Sequence, residues 1–286
     1  MALGSLNPAH AIQSAHLIVV LGTCKRETAD EHGYLLQTVI DACKAHGIIL
    51  YCLVSDGESK RGLALNQMTL KFPLSVSSRL FPLLGRLSLF DTLVRSGNLT
   101  LDKDYQHIFK HAWNAILRSK GVSINGTILT TSIIGQHLAE SGISTGRLDV
   151  LLNLNDCQDV PLALSLLLAI WKLPEPSTDV APGYAQTCQL INIFGELLSS
   201  LIQPYITPSL TLYDQLKLLS EAVHLSLALY CLGRGAFVPV QFYADIAIMV
   251  KNAYFCVAKT QLDNPMAKFH LTLLRTDRLE SQFGNL

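Results

Sequence analysis

Ile48-Ile49-Leu50-Tyr51-Cys52-Leu53-Val54-Ser55-Asp56-Gly57-Glu58-Ser59 carries seven consecutive apolar residues into an acidic, glycine-containing turn. The run is short, begins after Gly47 and includes Ile, Val and Tyr, so it reads as a strand buried on both faces. A carboxylate at the carboxyl end of such a strand stands where open α/β sheets place ligand and metal sites. A plainer alternative is that Asp56-Gly57 makes the turn and caps the following helix.

On either side of this strand the pattern alternates. His16 to Thr23 is a second apolar run and a first strand candidate. Between the two, Tyr34, Leu35, Val39, Ala42 and Cys43 recur at helical spacing, with Gly47 as a stop signal. Strand, helix and strand joined by short connections predict a βαβ unit with its strands parallel. Ser59 to Phe72 then reads as a helix ended by Pro73, and Ser75 to Leu87 as another, bent near Pro82. Asp102 to Lys120 places Tyr105, Ile108, Phe109, Ala112, Trp113, Ile116 and Leu117 on one helical face. Asn125-Gly126 between β-prone pairs predicts a hairpin over 122–129. Beyond Thr130 every periodic segment is helical, near 131–141, 145–152, 159–172, 184–203, 209–232 and 239–262, punctuated by prolines. The expected fold class is α+β and predominantly helical. A small α/β piece at 15–72 precedes a helical region at 73–275, and a last helix starts in 276–286.

Bulk properties narrow the classes of function. Of 286 residues, 49% are hydrophobic and 15% charged, which excludes a disordered chain. Lys+Arg and Asp+Glu stand at 22 each, so the basic balance of a self-sufficient nucleic-acid-binding domain is missing. Seven cysteines without a CxxC pair fit reduced, mostly buried thiols in a nuclear or cytoplasmic setting. Met1 to Ser14 has neither a basic region nor a long apolar region, so the chain is expected not to be secreted. The apolar segments are interrupted within the ~20 residues that a span requires, so no membrane partner is expected.

Three acidic sites are candidates for chemistry. Asp56 ends the central strand. Asp102 and Asp104 stand where a helix should begin, as capping carboxylates often do, with His107 and Lys110 following at i+3 and i+6 from Asp104. Asp277 and Glu280 are spaced i, i+3 after Thr276. Carboxylates far apart in sequence can converge on a pair of divalent ions, which take hard oxygen ligands. Gly233-Arg234-Gly235 reads as a helix terminator rather than a phosphate cradle. No Walker A, GxGxxG, GxSxG or HExxH sequence occurs.

Three segments, Val54-Ser-Asp-Gly-Glu-Ser-Lys-Arg61, Asp104-Tyr-Gln-His107-Ile-Phe-Lys110-His-Ala-Trp-Asn114 and Thr276-Asp-Arg-Leu-Glu-Ser-Gln-Phe-Gly284, resemble P-element-type DNA transposases. They resemble more closely the fungal transposase-like proteins related to that group and to the THAP-domain transposases. The resemblance implies an RNase H-like core with an acidic metal-binding triad, interrupted by a helical insertion domain before its third acid. It matches Asp56 to the second acid, Glu280 to the third and Asp277 to an acidic neighbour, with Mg2+ or Mn2+ as the ions. Asp104, His107, Lys110 and Asn114 match the D-x-x-H-x-x-K stretch leading into the insertion, where nucleic acid or nucleotide is bound; Trp113 departs from the Arg usual there. DNA as partner, guanine nucleotide as ligand and a homo-oligomeric state come by resemblance only. The first acid of the triad lies on a strand upstream of 17–23, and the sixteen residues before that strand contain neither Asp nor Glu. A transposase-derived chain without strand-cleaving activity is therefore expected. The alternative is a non-catalytic helical interaction module.

Overall fold

The computed structural model describes residues 1–6, 16–19, 27–55, 59–153 and 159–276. In chain order the elements are β1 (Ala2–Leu3), β2 (His16–Leu17), α1 (Ala29–Ala45), β3 (Cys52–Ser55), α2 (Ser59–Thr69), β4 (Phe72–Pro73), α3 (Phe81–Leu84), β5 (Leu93–Val94) and β6 (Thr100–Lys103). There follow α4 (Tyr105–Leu117), β7 (Val122–Ile124), β8 (Thr127–Leu129), α5 (Thr131–Glu140), α6 (Thr145–Leu151), α7 (Val160–Trp171), α8 (Pro182–Ile206), α9 (Leu212–Gly233) and α10 (Val240–Asp263). The fold is α+β and predominantly helical, as the periodicity predicts. The chain divides into two compact units, Met1–Tyr105 with Ile248–Leu286, and Gln106–Ala247. These boundaries differ from the 72/73 and 275/276 positions at which composition changes.

Among the described residues of the first unit the strand pairing is other than the anticipated βαβ pairing. The part of the first strand candidate that is described, β2, pairs antiparallel with β1; Val20 to Thr23 lie outside the described residues. The parallel partner of β3 is β6, in the register Cys52↔Thr100 to Ser55↔Lys103. That strand was expected to be the start of a helix. Asp102 and Lys103 are extended because β3 supplies backbone partners 48 positions upstream, and α4 begins only at Tyr105. The apolar run at 48–54 is also not all strand: Ile48 and Ile49 precede β3 and are 43% and 78% exposed. Of the helix expected over Ser75–Leu87, only the single turn α3 forms. Phe72-Pro73, expected at a helix end, pairs as β4 with β5.

Two apolar clusters hold this unit. Leu65 of α2 and Leu101 of β6 pack with Ile248, with Leu36 and Leu53 against them. Leu74, Leu80, Leu84 and Val94 pack against Phe255 and Ala258 of α10. Alternation along β6 sends Thr100 and Asp102 to the opposite face from Leu101. There α10 presents Asn252, Cys256 and Lys259, spaced i, i+4, i+7 on one helical face.

The second unit follows its sequence closely. Thr130 and Asp159 cap α5 and α7 through their side chains, and Thr211 forms a capping box with Asp214 at the start of α9. In the β7–β8 hairpin Asn125 and Gly126 take φ of 49° and 78°, the left-handed pair a two-residue turn requires. Trp113 and Phe194 are fully buried, and the indole N–H of Trp113 donates to the Leu151 carbonyl at 3.0 Å. Gly233-Arg234-Gly235 ends α9 in a single 3-10 turn. The Arg118 guanidinium donates to the carbonyls of Gly235, Ala236 and Phe237, satisfying the acceptors this ending leaves. Leu212–Ala236 is long and apolar enough to cross a membrane by length and composition, with a mean hydropathy of 1.3 over an 18-residue stretch within it. Leu219, Ala222, Ser226 and Leu229 are its buried residues.

Candidate functional site

The carboxyl ends of β3 and β6 lie side by side, since Ser55 is in register with Lys103. Asp104 is the first residue beyond β6. It is 1% exposed, and its Oδ2 accepts both the backbone N–H and the hydroxyl of Thr276, at 2.7 and 2.6 Å. The clasp joins positions 172 apart. Thr276, expected to cap a helix, is here a donor to Asp104. The chain that leads to Asp277 and Glu280 is thereby fastened at the edge where β3 ends. Asp56, Asp277 and Glu280 themselves lie outside the described residues.

Asp102, one strand position before Lys103, has a different environment. It is 0% exposed, and neither carboxyl oxygen has a hydrogen-bond partner. Asn252 stands beside it outside hydrogen-bond geometry, and the Asn252 Nδ2 is also without a partner. Burial above all, and then the neighbouring Cys52 and Asp104, push its pKa well above the usual carboxylate range. Burial thus favours the neutral acid at Asp102, which stands in the sheet face rather than at the helix cap expected from the sequence. Around it the network continues. Thr100 Oγ1 donates to Asn252 Oδ1 at 2.6 Å, and the Lys259 ammonium donates to the Tyr51 carbonyl at 2.6 Å. That ammonium also lies over the rings of Tyr51 and Phe255, at 5.7 and 5.6 Å. The Tyr51 hydroxyl donates to Asp263, and the Cys52 thiol is pushed up first by its contact with Cys256 and then by burial.

His107, Lys110 and Asn114 belong to the second unit and run along one face of α4, the first two half-buried and Asn114 exposed. A member the sequence did not single out is His111, whose Nδ1 lies 3.3 Å from the buried carboxylate of Asp245. Gln241 Nε2 donates to the other oxygen of Asp245 at 2.7 Å. The local signal was present: His111 sits one turn beyond His107, but its partner is 134 positions away.

No family model and no curated protein matches the chain. Among solved structures it is similar to the Drosophila P element transposase strand transfer complex, with a TM-score of 0.56 and 17% identity. The match covers 91% of this chain and 59% of that one. The likeness is one of fold. The chain thus spans well under two thirds of its structural neighbour, across both compact units.

The described carboxylates at the strand ends do not by themselves make a metal centre. Asp102 is sealed, with its pKa pushed up by burial, and one oxygen of Asp104 already receives two donors. Among the described residues no group of three or more His, Cys, Asp or Glu side chains converges as metal ligands would. What the arrangement can do is fasten chain: it holds Thr276 against the carboxyl end of a parallel strand pair.

Proposed function

We propose that this is a transposase-derived protein whose first unit preserves the carboxyl edge of an RNase H-like core and does not itself cleave DNA. The observation that carries the reading is the Asp104–Thr276 clasp at the end of β6, beside the end of β3. It fastens the segment leading to Glu280 where an RNase H-like core gathers its acids, and the fold likeness to a transposase supports the same descent. The described acids at this edge serve structure, Asp102 as a buried group and Asp104 as an acceptor for the backbone, which supports an inactive edge. Asp56 and Glu280, with Asp277, are then inherited metal-binding positions, and any surviving chemistry would draw on Mg2+ or Mn2+ through them. Supercoiled plasmid incubated with the full chain and either ion is expected to show no nicking above the Asp56→Ala, Glu280→Ala double variant. Ion-dependent nicking that this variant abolishes would overturn the inactive reading.

A second reading, a helical module that binds a protein partner rather than DNA, is favoured by the pairing of His111 with buried Asp245, which uses part of the α4 stripe inside the fold. Fluorescence anisotropy with labelled duplex separates the two. A transposase-derived DNA binder loses affinity steeply with salt as phosphate contacts release counterions. A protein-binding module shows no saturable DNA binding at low salt.

A further inference from the structure

In the second unit α5, the start of α8 and the connection between α7 and α8 border a half-open cavity of about 190 Å³, lined by His137, Glu140, Glu175, Pro174, Tyr184 and Cys188 among others, with Glu140, Pro174 and Glu175 exposed. We propose that this cavity is a binding site for a small organic cation of the guanidinium class. The proposal is independent of the transposase reading.

Hydrogen bonding settles the state of the imidazole. Thr187 Oγ1 lies 3.2 and 3.0 Å from the carbonyls of Gly183 and Tyr184, so its proton points to one of them. Its lone pair is left to accept from His137 Nε2 at 2.8 Å. The imidazole proton therefore sits on Nε2, and Nδ1 carries a lone pair. His137 is 2% exposed and this Nδ1 has no partner. Burial holds the ring below the ordinary histidine range, so Nδ1 remains an acceptor at neutral pH.

The other polar groups in the wall have the same sense. Glu140 accepts from Gln136 Nε2 at 3.1 Å, and the neighbouring Tyr184 hydroxyl, followed by Gln136, holds it below the usual carboxylate range. The same contact pushes Tyr184 up to about 12, so the phenol stays protonated. Glu175 adds a second carboxylate, and the Cys188 thiol donates to the Pro174 carbonyl at 3.5 Å. Among the described residues no lysine or arginine lines the cavity. An unpartnered buried acceptor, two carboxylates and no cation define a site for a ligand that brings both positive charge and several N–H donors. A bare metal ion is disfavoured because no three ligating side chains converge among the described residues. The volume is below that of drug-sized pockets, about 300 Å³ and upward, and suits a guanidinium group on a short stem. Nδ1 is sealed from solvent, and the Tyr184 ring lies over the imidazole with its centroid 4.0 Å from that of the imidazole, so occupancy requires the side chains around Nδ1 to shift. The ligand's N–H groups then replace the Tyr184 hydroxyl on Glu140.

The test is a titration of the full chain with ethylguanidinium and with its neutral isostere ethylurea, read on the side-chain nitrogens of His137 by NMR. Saturable movement of Nδ1 with ethylguanidinium alone is expected, weakened about tenfold in Glu140→Gln, which removes a charge-assisted hydrogen bond from an exposed helix end. Glu175→Gln supplies a second variant, with a smaller loss in the same direction. A blocked arginine tripeptide that saturates the same signal identifies the source as an arginine side chain of a partner protein. Saturation by the free cation alone identifies a small molecule. Either supports the site. No change at His137 up to about 100 mM ethylguanidinium, far above the affinity of a paired charge, or an equal response to ethylurea, overturns it.

Discussion

The two compact units bury different things. Among the described residues the first unit hides Asp102, Lys103, Asp104, Lys251 and Lys259, each 8% exposed or less, whereas the second hides a single carboxylate, Asp245. In the second unit interior contacts are chiefly apolar and aromatic, as between Phe194 and Phe237, whose rings meet edge-on at 6.1 Å. In the first, charged groups are threaded through the packing by named partners. Lys251 donates to Asp91 at 2.7 Å and to the Leu93 carbonyl, Lys259 to the Tyr51 carbonyl, and Asp104 accepts from Thr276. Burying ions costs far more than burying leucine, and removing one partner strands the other. A unit that tolerates this repeatedly around one strand pair is organised about polar chemistry, while the second is organised about packing.

The contrast can be broken experimentally. The largest effect belongs to the apolar unit. Trp113→Ala should cost about 4 kcal/mol, read by urea unfolding, with no dependence on pH between 4 and 8. A cost below about 1 kcal/mol would mean that packing around this indole does not hold the second unit. Next comes the clasp: Asp104→Ala removes the acceptor of two hydrogen bonds and should cost about 3 kcal/mol. Hydrogen exchange should show Thr276 losing its protection in the same variant. Thr276→Val deletes only the hydroxyl donor and should cost about 1 kcal/mol, with Thr276→Ser close to the parent. Equal stability of all three would show the clasp to be idle.

The smallest shift has the most specific sign. The folded pKa of Asp102 is raised above its unfolded value near 3.8. The folded state therefore keeps a proton that the unfolded state releases, and stability falls as pH rises from about 4 toward the folded pKa. Asp102→Asn removes that slope. The variant should melt higher than the parent at pH 7, with the difference closing near pH 4. A difference that is the same at both pH values would mean that Asp102 is ionised in the fold.

Legibility followed the range of the interactions. The helices from α5 to α10, the hairpin turn at Asn125-Gly126 and the terminator at Gly233 were readable because each is specified within a few residues, by apolar periodicity, caps and φ preferences. Thr100-Leu101-Asp102-Lys103 was not, since two of its four residues are charged and it runs directly into a strong helical pattern. Only β3 makes it a strand. Ile48 and Ile49 erred in the opposite direction: apolar and β-prone, they lack a ladder partner among the described residues and remain exposed. The role of Asp104 was hidden for the same reason. As a carboxylate ahead of a helix it resembles any cap, and its use depends on Thr276.

By itself, then, the sequence determined the helical character of the chain, the positions of most of its helices and turns, and the acids worth watching. These depend on local spacing and side-chain chemistry, which a linear reading contains. Tertiary structure alone decided that Asp102 is sealed with its pKa pushed up, that Asp104 is a clasp and that His111 is paired. Burial and hydrogen bonding between residues more than a hundred positions apart set the state of a titratable group, and no local pattern encodes the partner.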